Sequence, residues 1–264
     1  MSTVAKTARF ITGYMRMNIA SAMEYRVNFI TQVVAMFAND VVWVFFWRLF
    51  FLRFPVVNGW SFQDVVILWA IFAGGYGITC VIFGNVARLA GIIVRGELDH
   101  YLLLPKNVLL HVLVSRSSMT AWGDLLFGLV IFWFAGPVSI VKFLAFLYGL
   151  FLTVLTLTGF SIIVGSLAFF LGNAEGLSRQ LLVAFITLAT YPITIFKGVA
   201  KFILLAVIPA GVISSLPLRL IKTIDPVFVG AATIFAVGLF VAAVCIFRWG
   251  LRRYESGNLM TIQM

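Results

Sequence analysis

Long apolar runs, separated by short polar segments, are the main pattern along this 264-residue chain. A helix needs about 20 mostly apolar residues to cross a bilayer. The sequence therefore predicts an all-α fold with six transmembrane spans, at residues 27–52, 65–86, 121–134, 143–171, 177–196 and 227–247. The third run is short, so we expect its helix to begin nearer Val112, with Arg116 at that end.

An amphipathic pattern precedes the first span, in residues 1–24. Its apolar residues recur at helical spacing on one stripe: Val4, Ala8, Ile11, Met15, Ile19 and Ala22. Lys6, Arg9 and Arg16 lie on the opposite face. This pattern predicts a helix in the plane of the membrane, with its cations toward the lipid headgroups. An ordinary cytosolic helix that leads into the first span is the alternative.

Residues 197–226 hold a further apolar stretch that is too interrupted for a seventh span. Pro209 lies inside it and Pro217 follows it, and proline ends or kinks a helix because it lacks a backbone donor. We expect two short external half-helices, re-entrant or lying at the membrane interface. Four flanking cations are expected to face the headgroups of the outer leaflet: Lys197, Lys201, Arg219 and Lys222.

Composition and charge support lipid as the solvent of this chain. Apolar residues make up 62% and charged residues 11%, with a mean hydropathy of +1.10; soluble domains average about 45–50% and about 25%. The net charge of +10 fits the Lys and Arg excess of cytoplasmic loops, so no nucleic-acid partner is expected. Twelve of the 19 Lys and Arg residues fall on the side of both termini, which predicts cytoplasmic termini. Residues 1–264 are expected to form a single membrane domain.

Sequence patterns for bond-making chemistry are absent. There is no G-x-x-x-x-G-K-[ST] loop, so the chain cannot bind ATP by that route. His100 and His111 share one loop, without carboxylates or cysteines at metal-ligand spacing. Ser166 lies in a span that has no histidine at membrane depth to activate it. We predict no catalytic residue, no metal site and no cofactor in this chain.

Asn39 and Asp40 are polar residues near the middle of the first predicted span. Ionisable residues at membrane depth often mark ion or substrate pathways. Glu24 and Asp124 are expected nearer the cytoplasmic boundary, which leaves Asp40 without a partner carboxylate and weakens a case for ion coupling. Two interpretations remain open: a polar contact inside the bundle or at a subunit interface, and a place on the substrate pathway.

The cytoplasmic loop at residues 88–116 has the most distinctive sequence. Gly96 and Pro105 bracket a short segment with helical spacing. Polar residues (Glu97, Asp99 and His100) alternate with apolar residues on its other side (Leu98, Tyr101 and Leu102). Such a helix can dock its polar tip on a partner while its apolar side stays anchored. A capped interfacial helix without a partner is the alternative.

Two segments resemble one known family. Residues 95–105, RGELDHYLLLP, resemble the G-x-L-D-x-x-L-x-x-P loop of bacterial type-2 ABC exporter permeases, in particular their uncharacterised-permease branch. Residues 191–198, YPITIFKG, followed by Pro209 and Pro217, are similar to that branch's fifth span and external half-helices. The order and spacing of the spans agree, so the resemblance covers nearly the whole chain.

The resemblance implies the transmembrane subunit of an exporter in the bacterial inner membrane, moving an amphiphilic molecule such as a drug, lipid or peptide. Such permeases pair with a second copy or a sister permease and bind two ATPase subunits, which hold the ATP and Mg²⁺. The helix of residues 1–24 is similar to the connecting helix that touches the ATPase. The coupling helix would be carried by six residues: Gly96, Glu97, Leu98, Asp99, His100 and Tyr101.

Two other classes of function are weighed against this one. An ion-coupled secondary transporter is the main alternative, although it typically has inverted repeats and broken helices near the midplane, which the sequence does not display. A membrane scaffold that transports nothing is the third class.

Overall fold

The computed structural model describes residues 3–136, 139–206 and 208–254. Regular structure there is helical, apart from an isolated β-bridge between Val57 and Trp60, which confirms the predicted all-α fold for this part of the chain. The α-helices are α1 (Thr3–Glu24), α2 (Arg26–Arg53), α3 (Phe62–Ile82), α4 (Leu89–Val94), α5 (Leu98–Leu102), α6 (Val108–Val114), α7 (Ala121–Ala135), α8 (Ile140–Ser166), α9 (Ala168–Leu171), α10 (Glu175–Ala189), α11 (Gly198–Ala206), α12 (Ala210–Leu216) and α13 (Pro226–Leu251). Two 3-10 turns (Val86–Arg88 and Ile193–Ile195) and a π-helix (Pro217–Lys222) complete the elements.

Four stretches of helix in the described residues are long and apolar enough to cross a membrane: α2, α3, α8 continued by α9, and α13. The third and fifth predicted spans correspond to α7 and α10, which have 15 residues each. At 1.5 Å per residue, such a helix is about 22 Å long, shorter than a hydrocarbon core of about 30 Å.

The structure corrects the bounds of these two shorter spans. The third helix does not begin near Val112, because α6 ends at Val114 and residues 115–120 separate it from α7. The backbone of that linker bonds to the end of α3: Ser118 N donates to Cys80 O at 2.9 Å. The fifth helix does not continue to residue 196. It ends at Ala189, shortly before Pro192, and a proline disfavours helical backbone in the residue before it.

The α3 helix is the centre of the bundle, with 83% of its most apolar window buried. It packs closely on α7 and α8. A Cβ atom on Gly128 of α7 would lie 2.6 Å from the carbonyl oxygen of Ala70, and one on Gly75 would lie 2.4 Å from Thr153 Cγ2. Small residues allow this close approach of apolar helices, which lack a hydrophobic drive to associate in lipid.

The two ends of the bundle differ in their contents. The terminal end, as we call it, carries α1, residues 83–120 and the end of α13. The opposite, distal end carries the start of α3 and the π-helix. There Lys222 Nζ donates to Asp64 Oδ2 at 3.0 Å, and Arg219 Nη2 donates to Asp225 Oδ2 at 2.7 Å. Both cations stay about half exposed, at 54% for Arg219 and 53% for Lys222, so the expectation that they face lipid headgroups stays a prediction.

Two further segments lie at opposite ends. In α1, Ile11, Met15 and Ile19 are half-buried, whereas Lys6 and Arg16 are exposed, as their positions on the helix lead one to expect. Residues 198–216 hold two short helices, the mostly exposed α11 and the fully buried α12. The α12 helix packs against α10 and α8, so this segment enters the bundle rather than lying along its surface.

Candidate functional site

Residues 95–105, which we call the coupling segment after the loop that they resemble, fold against the terminal end of the bundle. Gly96 has a φ of 72°, a left-handed backbone that glycine adopts without steric cost. This residue turns the chain between α4 and α5, so that the short helix α5 (Leu98–Leu102) follows two residues later.

The inner side of α5 is an apolar anchor. Leu98 is 0% exposed and belongs to a cluster with residues of α4, α6, α8 and α13, including Ile92, Ile162 and Phe247. Because it is fully covered, the Leu98 side chain holds the helix in place and offers no surface to a partner. Leu102 does not share this side, since it is 44% exposed.

The outer side of α5 is open. Glu97 and His100 are exposed, and Leu103, just after the helix, is 84% exposed. Leu102 and Leu104 on either side are exposed as well, at 44% and 39%, and a contiguous apolar patch rimmed by polar residues is typical of an interaction site. The chain thus presents a polar tip with an apolar rim at this point.

Polar contacts connect the coupling segment to the rest of the bundle. Arg95 Nε donates to Glu97 Oε1 at 2.7 Å, and Arg95 Nη1 donates to Glu175 Oε2 in the first turn of α10 at 3.1 Å. The hydrogen bond to Glu97 raises the pKa of the Arg95 guanidinium above its usual value. Since all three groups are partly exposed, these contacts orient the segment more than they stabilise it.

The end of α13 also meets α5. Burial, and then the hydrogen bond and charge of Asp99, raise the pKa of the Tyr254 phenol well above its ordinary value. The Tyr254 ring packs edge-on against Phe169, with a centroid distance of 6.1 Å. Asp99 therefore faces the last described residue of the chain, and the coupling segment is connected to the long helix α13.

His111, which the sequence analysis left without a role, joins three helices. It is 2% exposed on α6, and its Nε2 atom is hydrogen-bonded to the Tyr14 hydroxyl of α1. Its ring contacts Tyr101 of α5 edge-on at a centroid distance of 5.0 Å. Burial, His100 and Lys106 together lower the pKa of His111. The position of a histidine on the apolar face of α6 was the signal in the sequence.

A second region lies deeper, in a cavity of about 250 Å³ among α2, α3, α7 and α10. The α2 residues that line this cavity recur at helical spacing, which places Asp40 on the same face of the helix as Trp47. The lining consists of Met36, Asn39, Asp40, Trp43, Trp47, Trp69, Phe72, Ala73, Tyr76, Asp124, Ile186, Thr187, Thr190 and Tyr191.

Asp40 and Asp124 meet in this cavity, so the expectation that Asp40 has no partner carboxylate is wrong. Their side chains, 3% and 4% exposed, interact with each other. Asp124 lies in the first turn of α7, and Gly123 beside it packs on the backbone of Val33 in α2. Since α7 begins this deep, Asp124 lies at the level of the middle of α2 rather than near a boundary.

Aromatic side chains form much of the cavity wall. Trp43 stacks on Trp69 with ring centroids 5.6 Å apart and an interplanar angle of 20°. Trp47 meets Tyr191 edge-on at 5.9 Å. Four buried polar atoms of this wall have no hydrogen-bond partner among the described residues: Asp40 Oδ2, Asp124 Oδ2, Trp47 Nε1 and Trp69 Nε1.

Comparison with known proteins identifies the family. The family described as ABC-2 family transporter protein matches residues 37–257, most of the chain, including the coupling segment and the cavity. No curated protein and no solved structure shows significant similarity to the chain. The chain therefore belongs to the ABC-2 family and is a multi-pass membrane permease of an ATP-binding-cassette transporter.

Proposed function

We propose that the chain is the transmembrane subunit of a bacterial exporter, driven by two copies of a separate ATPase and paired with a second permease. The terminal end faces the cytoplasm, and the permease crosses the inner membrane six times. Its spans are α2, α3, α7, α8 with α9, α10 continued by Ile193–Ile195, and α13. An amphiphilic molecule is the transported substrate.

The attachment of α5 is the observation that carries this proposal. Leu98 anchors the helix in the apolar cluster, Arg95 ties its start to α10, and Asp99 faces Tyr254 after α13. A force applied to the open side of α5 is therefore transmitted to α10 and α13. This is the mechanical connection that an ATPase-driven permease requires.

In the proposed mechanism the ATPase pair closes on ATP, and the coupling helices of the two permeases approach each other. ATP supplies the difference in free energy between inward-facing and outward-facing arrangements. The chain transmits movement and forms the pathway, whereas the bond-breaking step takes place on the partner, which holds ATP and Mg²⁺.

Co-expression with the products of the neighbouring genes, followed by purification of the permease and any ATPase bound to it, tests this function. Leu103→Arg places a charge on the open apolar rim without touching the buried cluster. We expect this variant to insert normally but to recover much less ATPase, and to lose ATPase stimulation by the permease. Val56→Arg is the matched control, because Val56 is 66% exposed at the distal end. Equal recovery of the ATPase by both variants would contradict the coupling assignment.

An ion-coupled transporter is the second candidate, and the meeting of Asp40 and Asp124 favours it more than the sequence did. Two facing carboxylates can share a proton, as carboxylate pairs do in other proteins. Transport by membrane vesicles separates the candidates. An ABC permease requires ATP and is insensitive to dissipation of the proton gradient, whereas a proton-coupled carrier stops when the gradient collapses.

A further inference from the structure

We infer that the cavity among α2, α3, α7 and α10 is a binding site for an organic cation, such as a quaternary ammonium ion or a protonated amine. The inference names a substrate class for the proposed permease and therefore rests on that function. Two features carry it: carboxylates without a Lys, Arg or His residue among the described residues of the cavity lining, and aromatic rings in the same lining.

The carboxylates of Asp40 and Asp124 have no basic side chain beside them in the described lining of the cavity. Asp40 and Asp124 each keep an Oδ2 atom without a hydrogen-bond partner among the described residues, although both are more than nine-tenths buried. The described lining contains no Lys, Arg or His. A buried charge is tolerated when it is paired and is costly otherwise. A ligand that brings a positive charge would supply what the protein leaves out.

The aromatic wall determines what kind of cation fits. Cations are attracted to the faces of Trp, Tyr and Phe rings within about 6 Å, and cages of such rings are typical sites for quaternary ammonium groups. Trp43, Trp47, Trp69, Tyr76 and Tyr191 line the same cavity as the two carboxylates. These rings offer faces to a bulky charge and apolar area to the rest of a ligand.

A bare metal ion fits the cavity less well. Ca²⁺ takes 6–8 oxygen ligands and Mg²⁺ requires an octahedral set, whereas only two residues of the lining are carboxylates and the other oxygens belong to Asn, Thr and Tyr side chains. The volume of about 250 Å³ is close to the lower limit of small-molecule sites, about 300 Å³. A compact organic cation is the ligand that matches both the size and the wall.

The cavity also has an entrance suited to an amphiphile. Asn39 is exposed and Trp43 is 40% exposed, so the cavity reaches the outer surface of α2. That helix is apolar and mostly uncovered, with only 6% of its most apolar window buried. An amphiphilic cation dissolved in the membrane could reach the carboxylates past Trp43.

Binding of benzyltrimethylammonium to the purified permease, without ATPase, tests the inference. The lining tryptophans allow a fluorescence titration, and calorimetry provides a second measurement. We expect saturable binding that weakens at least tenfold in Asp40→Asn and in Asp124→Asn, and several-fold in Trp43→Leu. Glu24→Gln is the matched control, because it converts an exposed carboxylate at the end of α1 to an amide, and its affinity should equal that of the parent.

An uncharged isostere distinguishes a cation site from a merely apolar cavity. Neopentylbenzene replaces the quaternary nitrogen with carbon. If it competes as well as the cation, or if the Asp variants retain full affinity, the inference is overturned. A proton site without a ligand is also a defined outcome: no saturable binding, together with proton-dependent transport that Asp40→Asn abolishes. That outcome too would overturn the inference.

Failure of this inference is separable from failure of the proposed function. The titration uses the permease alone, whereas co-purification of the ATPase depends on the coupling segment. Loss of cation binding with normal ATPase recovery would remove the site and leave the permease function. Normal cation binding without ATPase recovery would remove the proposed ATP-driven mechanism.

Discussion

The coupling segment and the cavity are built in opposite ways. Around Leu98 the terminal end is an apolar cluster of buried side chains, and Arg95 pairs with both Glu97 and Glu175. Around Asp40 the bundle is hollow and leaves buried polar atoms without partners. Rigid packing suits the proposed role of the first region in transmitting movement, and unsatisfied polar groups suit the ligand site inferred for the second.

This difference predicts that substitutions in the two regions change stability in opposite directions. In the packed region a new charge removes favourable contacts. In the cavity, replacing a buried carboxylate removes the unfavourable free energy of burying it without a partner in the ligand-free protein. The following variants test the comparison, in order of decreasing expected effect.

Leu98→Arg should have the largest effect. Its side chain is 0% exposed, and an uncompensated charge in a buried position costs about 3–5 kcal/mol. We expect low yield and a strongly lowered melting temperature in detergent, measured by thermal unfolding. Leu103→Arg, at an 84% exposed position a few residues later, serves as control and should unfold like the parent. Similar melting temperatures for both variants would contradict the inward orientation of Leu98.

Asp40→Asn should raise stability in the absence of ligand. The new amide can donate a hydrogen bond to the facing Asp124 carboxylate, which an ionised Asp40 cannot do, and a buried polar group without a partner costs about 1–3 kcal/mol. A gain of about 1 kcal/mol corresponds to about 2–4 °C in melting temperature for a chain of this size. Glu24→Gln should leave the melting temperature unchanged. A lower melting temperature for Asp40→Asn would mean that the carboxylate is satisfied in the folded protein.

His111 should make the terminal end sensitive to acid. Burial, His100 and Lys106 lower its pKa below the ordinary value of 6.5, so the folded protein holds it neutral. Its contribution to stability is complete above pH 6.5 and is lost as the pH falls through 6.5 toward the lower pKa of the folded state. Tyr14 also faces it, and burial raises the pKa of the Tyr14 phenol, so that Tyr14 stays neutral in this range. The parent should lose more stability than His111→Gln between pH 7.5 and 5.5, a difference measured by thermal unfolding at each pH.

Arg95→Gln should have the smallest effect on stability. The contacts of Arg95 with Glu97 and Glu175 are partly exposed, and such ion pairs contribute about 0–1 kcal/mol. The transport rate should fall clearly while the melting temperature stays nearly unchanged, because the pair orients α5 against α10. Measuring ATPase stimulation and melting temperature on the same preparation separates the two. Raised salt should weaken the pair in the parent and leave Arg95→Gln unaffected.

Much of the local structure could be predicted from the sequence. Helix α13 covers its predicted span because Asp225 caps the start and Pro226 occupies the first turn. The short helix after Gly96 also has a local cause, since the glycine turn is encoded where it occurs. The fifth span was overextended because the apolar run continues past Pro192, whereas the helix does not.

Of the two candidate regions, the sequence predicted the coupling segment but not the cavity. The coupling segment is a continuous stretch of sequence, so its residues could be named, although Leu98 and Leu102 had to be sorted into covered and open sides by the packing of α5. The cavity joins residues of four helices. The sequence predicts Asp124 near a boundary because the apolar run of the third span gives no other indication of depth. The start of that helix depends on how residues 115–120 bond to the end of α3.

The sequence by itself determined that lipid surrounds this protein, where its helices form and which loop is exceptional. Apolar composition, helical periodicity and glycine or proline chemistry act within one turn or one span. Each therefore depends only on residues that are close in the sequence. Only the tertiary structure decided that Asp40 faces Asp124, that Leu98 is covered and that His111 joins three helices. These contacts depend on the depth and rotation of each helix, which are set by close packing at residues such as Gly128 and by no pattern within a single helix.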